Sequence, residues 1–507
     1  MRQTIVLVLL VCMLGGFGAL VASRPRTTHQ TPAPNQTAAL PSASAQTTPS
    51  AMASTASSTA PNPNPASSGS AAPNPPSVSP SASAPAADAG PAPALDRPLA
   101  VVGLGWDVIA PGILANEGTN PNPKSAFASS GLEVRLSVST AMNNVENALA
   151  RGGKDTSGAD VAVVPLANFV EAYERLRALT PEVFFVVGFS RGHEALAGKT
   201  ASLPSGNMKP PVKLVGNRGA PATFLGLFML DIAGVPGSDL EMVGPGEREE
   251  KDAAFFAFDR GDGQTEPGQK IILTSADTPH LCPVVAIAPH GLIAEKERAL
   301  TALTKGWLEG IKKLGTDPPG GARVISALEG APEPLALLRR LGEMETATLG
   351  DNARFLGLSG RSALTVPSLF QKTWQLYRGV SFVSTPAPDS LPVSTSIVTN
   401  LARASESLSP RPATKTEFKE GKDSIVVYRQ EKLDEEALIN TVGLLAAVFE
   451  RSVLRVSISG GAGTVDTAKT KKLIDTAEGQ FGVESGRLVV ASKTKSKGAA
   501  IEVMTLP

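Results

Sequence analysis

Apolar runs alternate with amphipathic segments from about residue 97 onward, and this alternation predicts the elements of an α/β fold. Strands are predicted where apolar residues run together or alternate with polar ones, at residues 99–102, 132–138, 159–164 and 183–187. Apolar residues at helical spacing predict helices at 142–149 and 166–176. A strand–helix alternation of this kind is typical of a mainly parallel sheet.

The same pattern then restarts. Strands are predicted at 212–215, 271–274 and 284–288, with a helix at 223–232 closed by Gly234. A long amphipathic helix follows, whose apolar face carries Leu300, Leu303, Trp307 and Ile311. Two successive α/β units predict two lobes, and ligands of such folds usually bind in the cleft between them.

A smaller unit is predicted at the C-terminal end. It follows a passage rich in Pro and Ser at 405–416, and its elements have the order β-α-β-α-β-β. The predicted strands are 424–428, 453–459, 487–491 and 499–504, and the predicted helices are 433–449 and 467–481. Roughly 90 residues suffice for a small α+β domain.

The first 96 residues have a different composition. Arg2 precedes a nearly uncharged apolar run at 4–22, which is typical either of a cleaved signal peptide or of a retained membrane anchor. Residues 24–96 are almost entirely small and polar, with many prolines, and predict a disordered linker. The predicted organisation is therefore a leader (1–23), a linker (24–96), a two-lobed domain (97–404), a second linker (405–416) and a C-terminal domain (417–507).

Composition excludes several classes of function. The 507 residues carry 47 Lys and Arg against 47 Asp and Glu, so no global basic field attracts nucleic acid. Beyond the leader Cys282 is the only cysteine, which leaves no intrachain disulfide and predicts a buried thiol. His280 and His290 lack the spacing of metal ligands, and we expect no metal or other cofactor.

One motif points to an enzyme. Gly188–Gly192 follows an apolar strand and fits the G-x-S-x-G nucleophile elbow, which makes Ser190 a candidate nucleophile and a secreted serine hydrolase an alternative function. The chain lacks the upstream His-Gly oxyanion motif, and each histidine after Ser190 has another explanation. We therefore expect no catalytic residues and a protein that is not an enzyme.

Residues 97–403 resemble the type II periplasmic solute-binding proteins of the nitrate, sulfonate, taurine and thiamine-precursor group. The segments that carry the resemblance are Gly103-Leu104-Gly105-Trp106-Asp107, the run at 143–162, the crossing segment at 189–196, the loop at 215–221, Thr274-Ser275-Ala276-Asp277 and Trp307 in the long helix. The resemblance implies a two-lobed fold and the substrate-binding component of an ABC-type transporter, or a related sensing protein. It also implies a periplasmic location, with the leader as a candidate tether to the inner membrane.

Candidate ligand-binding residues lie after these strands. The loop Asn217-Arg218-Gly219-Ala220-Pro221 opens a helix, whose unpaired N–H groups favour an anion, and Thr223 lies in its first turn. Trp106, Asp107 and Ser190 are candidates for a stacking, a charged and a hydroxyl contact. The family often has Ser or Thr where this chain has Ala220, and an ordinary turn, a helix cap or packing would also explain these residues.

The C-terminal unit resembles the peptidoglycan-associating OmpA-like domain, through its order of elements, Tyr428 and the late Gly482-Val483. The residues that would hold diaminopimelate are not present: Gly460 to Gly463 occupy the place of an Asp, and Thr470 or Lys471 that of an Arg. We expect at most weak contact with the anionic cell wall, through Lys469, Lys471 and Lys472. A non-catalytic envelope scaffold with degenerate domains is a further alternative.

Overall fold

The computed structural model describes residues 94–204, 208–260, 268–360, 362–404, 424–494 and 497–504, all within the compact unit Ser83–Pro507. The predicted leader (1–23), residues 24–93 of the predicted linker and the second linker (405–416) lie outside the described residues. No helix in the described ranges combines the length and apolar character needed to cross a membrane.

Eleven strands in the described part of the chain form two sheets. They are β1 (Leu99–Leu104), β2 (Val134–Ser139), β3 (Val161–Pro165), β4 (Pro181–Ser190), β5 (Glu194–Gly198), β6 (Val212–Val215), β7 (Leu240–Val243), β8 (Phe255–Asp259), β9 (Lys270–Thr274), β10 (Pro283–Pro289) and β11 (Met344–Thr346).

Eleven helices of the same part of the chain pack on or between these sheets. They are α1 (Trp106–Asn116), α2 (Met142–Arg151), α3 (Leu166–Leu176), α4 (Pro221–Ile232), α5 (His290–Glu295), α6 (Glu297–Thr316), α7 (Pro318–Ser326), α8 (Pro334–Gly342), α9 (Leu349–Phe355), α10 (Val366–Gly379) and α11 (Ser396–Ala404).

The first lobe is built on the sheet β11-β4-β10-β3-β1-β2. Strands β1, β2 and β3 are parallel, whereas β10 runs antiparallel between β3 and β4. Four of the five residues of β3 are buried, because helices cover both faces of a parallel sheet. Asp160, just before β3, accepts two hydrogen bonds of 2.7 Å from the guanidinium of Arg97 and so fixes the start of the lobe.

The second lobe is built on the sheet β7-β6-β8-β5-β9. Strand β6 is parallel to β7 and β8, and β5 is antiparallel to β8 and β9. Helix α4 approaches β5 and β8 on one side and helices α3 and α10 on the other. A helix that is packed on several sides must be apolar all round, which explains the sequence Phe224-Leu225-Gly226-Leu227-Phe228.

The chain passes between the lobes at two places. Strand β4 ends at Ser190 and β5 begins at Glu194, so residues 191–193 form the first crossover; β9 and β10 are joined by the second crossover, residues 275–282. The crossovers are bonded to each other: Ser190 N donates to Cys282 O at 2.9 Å, and Gly192 N donates to the hydroxyl of Ser275 at 2.7 Å. The two lobes are therefore joined by one double connection.

One prediction about the second unit was wrong. The strand at 284–288 was assigned to the second lobe because it follows that lobe's elements in sequence, but β10 lies in the first sheet, between β3 and β4. Helix α6, which follows it, packs against α1 of the first lobe. Local periodicity identifies a strand, but it does not tell which sheet the strand joins.

The C-terminal module comprises the described residues between 424 and 504. Its elements are β12 (Ser424–Gln430), α12 (Glu435–Val448), β13 (Val453–Gly461), β14 (Thr464–Val465), α13 (Thr467–Phe481), β15 (Leu488–Val490) and β16 (Ala499–Met504). Its sheet has the order β12-β16-β13-β14, and β15 pairs with β13. These bounds confirm the strands and helices predicted for this region, with β14 as an addition, but they do not establish a relationship to OmpA-like domains.

Candidate functional site

A cavity of about 820 Å³ lies between the lobes, next to the first crossover. The ends of β1 and β3, at Leu104 and Pro165, contribute to its wall from the first lobe. Ala220 and Asp259 contribute from the second lobe. A cleft at the carboxyl ends of parallel strands is where ligands of open α/β sheets bind.

Several helices begin at the cavity wall. Trp106 opens α1, Met142 opens α2, and Pro221 opens α4, while Asn168 lies in the first turn of α3; all four line the cavity. The first N–H groups of a helix have no partner within the helix, and the N-terminal end carries a partial positive charge. This part of the wall therefore favours a hydrogen-bond acceptor or an anionic group.

Four of the polar side chains in the cavity wall are acidic, and two are arginines. Its carboxylates are Asp107, Glu194, Asp259 and Glu343, and its arginines are Arg339 and Arg340. Arg339 approaches Glu343 within 3.5 Å, and Arg340 approaches Asp107 within 3.9 Å. The other two carboxylates, those of Glu194 and Asp259, have no arginine at ion-pair distance among the described residues. The acidic side of the wall thus favours a ligand with N–H or O–H donors.

Glu194 is the most deeply buried of these carboxylates, with 3% of the residue exposed. It accepts a short hydrogen bond from the hydroxyl of Ser190, whose oxygen also lies 3.4 Å from that of Ser275. Burial raises the pKa of the Glu194 carboxyl, and the hydrogen bonds from Ser190 and Ser275 only partly offset this effect. Both serines belong to the ends of the crossovers, so this carboxylate ties the crossovers to the cavity.

The surroundings of Ser190 do not support a nucleophile elbow. That motif places the serine on a sharp turn between a strand and a helix. Here β4 ends at Ser190 and the chain continues into another strand, β5. The hydroxyl of Ser190 faces a carboxylate and a second hydroxyl, while the ring of His193 bonds to other residues. The geometry therefore favours a cavity hydroxyl over a catalytic one.

His193 contacts residues of both lobes. Its Nδ1 lies 3.0 Å from Glu343 Oε2, and its Nε2 lies 2.7 Å from Arg340 Nη1 and 3.7 Å from Asp259 Oδ2. Burial would lower the pKa of His193, but the hydrogen bond and the charge of Asp259 outweigh it, so this pKa lies above its usual value. Only the neutral ring can accept a hydrogen bond from Arg340, whereas the protonated ring carries an N–H donor at Nε2, 3.7 Å from Asp259 Oδ2. Protonation of His193 therefore changes the charge that faces Asp259 Oδ2 in the cavity wall.

Three of the residues predicted from the sequence line the cavity: Trp106, Asp107 and Ser190. Trp106 and Asp107 are half-buried at the start of α1, where φ of Gly105 is +112°. The structure brings the three side chains to one cavity, and contact with a ligand stays a prediction. His193, Asp259, Arg340 and Glu343 were missed. Of these only His193 adjoins a motif, since it follows Ser190 in the first crossover; the other three carry no local signal.

The other four predicted residues, Asn217, Arg218, Gly219 and Thr223, do not line the cavity. The guanidinium of Arg218 donates to Glu171 Oε1 at 2.7 Å and to the carbonyl of Phe382, and its side chain is 54% exposed. The hydroxyl of Thr223 is fully buried and donates to the carbonyl of Asn217 at 2.7 Å. An anion site built on this loop is therefore not favoured by the placement of its side chains.

Arg218 instead joins the two lobes. Its partner Glu171 lies on α3 of the first lobe and also accepts hydrogen bonds from Arg175. Burial alone would raise the pKa of the Glu171 carboxyl, but the hydrogen bonds from Arg175 and Arg218 hold that pKa below its usual value. The loop that opens α4 thus supplies an interlobe ion pair.

Comparison with known proteins gives no family for this chain. No family model matches the sequence, and no curated protein matches it. Within the described ranges, no three His, Cys, Asp or Glu side chains are grouped so that they could hold a metal ion.

Several of the solved structures that this chain matches are solute-binding proteins. The alkanesulfonate-binding protein SsuA from Xanthomonas axonopodis pv. citri, bound to MOPS, is 13% identical and covers 58% of this chain and 96% of its own, with a TM-score of 0.38. The periplasmic nitrate-binding protein NrtA from Synechocystis PCC 6803 is 11% identical and covers 62% of this chain and 86% of its own, with a TM-score of 0.41. The aliphatic sulphonate-binding protein SsuA from Escherichia coli is 12% identical, with coverages of 57% and 92% and a TM-score of 0.37. At these values the similarity assigns neither a ligand nor a partner to this chain.

Proposed function

We propose that the protein binds a small polar solute in the cavity between its two lobes and does not transform it. The observation that carries this proposal is the cavity itself, which has about 820 Å³ and lies between lobes joined by a double crossover. Its volume falls within the range of small-molecule sites. Asp259 Oδ1 is buried and finds no hydrogen-bond donor among the described residues, so a solute donor would relieve an unfavourable burial.

The cavity wall limits the chemistry of the solute. Helix N-termini at Trp106, Met142 and Pro221 favour an acceptor group at one side, and Asp259 favours amino or hydroxyl donors at the other. We propose a solute that carries both kinds of group. The anionic solute expected from the loop at Arg218 has less support, because that guanidinium is held by Glu171.

The sequence supports an extracytoplasmic role. The apolar leader favours export, with or without a retained tether, and the resemblance of residues 97–403 favours work with an ABC transporter permease or in sensing. Cell-wall contact through the C-terminal module has weaker support, because Lys469 pairs with Glu435 at 2.8 Å and leaves Lys471 and Lys472 as exposed charges.

Titration calorimetry with the full chain tests the proposal. A panel of amines, polyols, amino acids, sulfonates and nitrate identifies the solute, and Asp259→Asn should then weaken its binding by about 10- to 100-fold, the usual loss of a charged hydrogen bond. Glu241→Gln is the matched control, because this exposed carboxylate of the second lobe pairs with Lys213 outside the cavity. Equal affinity of wild type and Asp259→Asn would place binding elsewhere. A panel in which no compound binds would contradict the proposal.

A further inference from the structure

The C-terminal module lies against the second crossover. Glu450, two residues after α12, accepts a hydrogen bond at 2.5 Å from Nδ1 of His280 in that crossover. Its other oxygen accepts one at 3.1 Å from Arg354 on α9 of the first lobe. One carboxylate of the module thus holds both the crossover and the first lobe.

A second tie reaches the strand next to the cavity. Arg451 of the module donates to Glu345 on β11 at 2.6 Å, and the side chain of Glu345 is only 11% exposed. The residues just before Glu345 in sequence, Glu343 and Met344, line the cavity. A displacement of this strand by a change in the cavity would therefore act directly on the ion pair.

A third contact reaches the second lobe. Strand β12 of the module approaches α4 within 8 Å between Cα atoms, and α4 begins at Pro221 in the cavity wall. Buried apolar residues of the module and of both lobes form one continuous cluster. The module therefore contacts all three parts that must move relative to one another when the lobes open.

His280 couples the module to the first lobe, because its ring is packed against that lobe and cannot move with Glu450 independently of it. Its ring packs edge-on against Phe189 of β4, with centroids 4.6 Å apart, and against Phe355 of α9 at 5.2 Å. Packed aromatic rings and a charged hydrogen bond resist the reorientation that a hinge requires.

We propose that the C-terminal module is a brace, which holds the second crossover and both lobes together and so restricts opening of the cavity. A rotation of the lobes about the crossovers moves His280 relative to β11 or α4, and each of these is fixed to the module. Undocking of the module and opening of the cavity are then linked, and each favours the other. This assigns to the module a role that does not depend on cell-wall binding.

Distance measurement by double electron–electron resonance tests the brace in the full chain, without added solute. Spin labels are placed at Lys154→Cys in the first lobe and Lys251→Cys in the second, both exposed positions, in a Cys12→Ser background. With Glu450 and Arg451 intact, the labelled protein should give one narrow distribution of interlobe distances. Glu450→Gln with Arg451→Gln should broaden the distribution and add a longer component.

Glu435→Gln with Lys469→Gln is the matched control, since it removes one acid and one base of the same module whose ion pair lies entirely within the module. The control should keep the narrow distribution. An unchanged distribution in the Glu450→Gln/Arg451→Gln variant would overturn the brace. Because no solute is present, this result does not depend on the proposed binding function.

Exchanging the charges of Arg451 and Glu345 tests the brace even if the Glu450→Gln/Arg451→Gln variant fails to fold. Arg451→Glu should broaden the interlobe distance, and Arg451→Glu combined with Glu345→Arg should narrow it again, because the pair is restored with its sign reversed. Equal distributions for the single and the double variant would also overturn the brace.

Discussion

The guanidinium of Arg218 and the carboxylate of Glu171 face each other across the two lobes at 2.7 Å. Glu171 is 8% exposed, so its charge depends on the arginines that surround it. Removing one partner of a buried ion pair leaves a carboxylate that is poorly solvated. Arg218 therefore stabilises the contact between the two lobes.

Arg218→Ala should lower the free energy of unfolding by about 1–2 kcal/mol, because Glu171 keeps Arg175 as its second partner. Urea unfolding measures this change, and Arg248→Ala, an exposed arginine of the same lobe, should leave stability unchanged. Solute affinity should be the same in Arg218→Ala as in wild type. A variant that is fully stable but binds the solute poorly would return the site to the loop at 217–221.

At this scale the sequence predicted part of the cavity. Trp106 and Ser190 were found because each adjoins a strand whose apolar pattern is clear, and strand ends carry ligand contacts in this class of fold. Asp259 and Glu343 were not found. They reach the cavity from distant segments, and a lone acidic residue beside a strand or helix is indistinguishable from a solvated one until the chain is folded.

Among the helices, α6 approaches α1 unusually closely. A Cβ atom on Gly310 would lie 1.9 Å from the carbonyl oxygen of Pro111, and one on Gly306 would lie 2.2 Å from the ring of Phe127. Both neighbours are fixed, one as backbone and the other as a fully buried ring. Gly310 therefore sets the separation of α6 and α1, and Gly306 leaves room for the ring of Phe127, which follows α1 in the chain.

Gly310→Ala should destabilise the protein by about 2–4 kcal/mol, as overpacking against backbone forces the helices apart. Gly315→Ala, in the same helix with open space around its Cα, should be neutral or stabilising by up to about 1 kcal/mol through helix propensity. Thermal unfolding of both variants checks the contrast. Equal melting temperatures would show that α6 and α1 can separate without cost.

Whether a segment forms a helix or a strand was more predictable than which other elements it packs against. Helix α6 was predicted from Leu300, Leu303 and Trp307, all of which are buried in the structure. Its packing on the first lobe was not predicted, since that follows from the return of the chain through the second crossover. The return is a long-range event, and apolar periodicity is local.

At the scale of the whole molecule, the contacts of Glu450 that hold the C-terminal module to the first lobe and the second crossover should weaken at low pH. Burial would raise the pKa of Glu450, but the hydrogen bond and the charge of His280, together with Arg354, lower it to about 2. A carboxyl whose pKa falls on folding stabilises the folded state above its unfolded pKa and loses this effect as pH falls toward the folded pKa. The contribution of Glu450 is therefore present at neutral pH and declines between about pH 4.5 and pH 2.

Hydrogen exchange of α12 and β13 should rise as pH is lowered through this window, after correction for the intrinsic exchange rate. Glu450→Gln should show a weaker dependence, because its amide does not titrate. Glu478→Gln is the control, since Glu478 is a carboxylate on α13 of the same module and the structure gives it no ion pair to the lobes among the described residues. A pH dependence that is identical in wild type and Glu450→Gln would assign the acid response to other carboxyls.

Two lobes could be predicted at this scale because the strand–helix pattern restarts at residue 212, and the described elements confirm a mixed α/β fold with two sheets. The contacts of the C-terminal module with the second crossover could not be predicted from the sequence, because His280 and Glu450 are 170 residues apart and neither belongs to a motif.

The chain has three tryptophans, and they are distributed unequally. Trp307 and Trp374 are each 2% exposed in the core, whereas Trp106 lies half-buried in the wall of the cavity. Indole emission responds to the polarity and accessibility of its surroundings, so the two core residues supply a constant background. A change of emission maximum, or protection from a small neutral quencher, therefore reports on Trp106. The protein carries its own fluorescent reporter at the place where a solute would arrive.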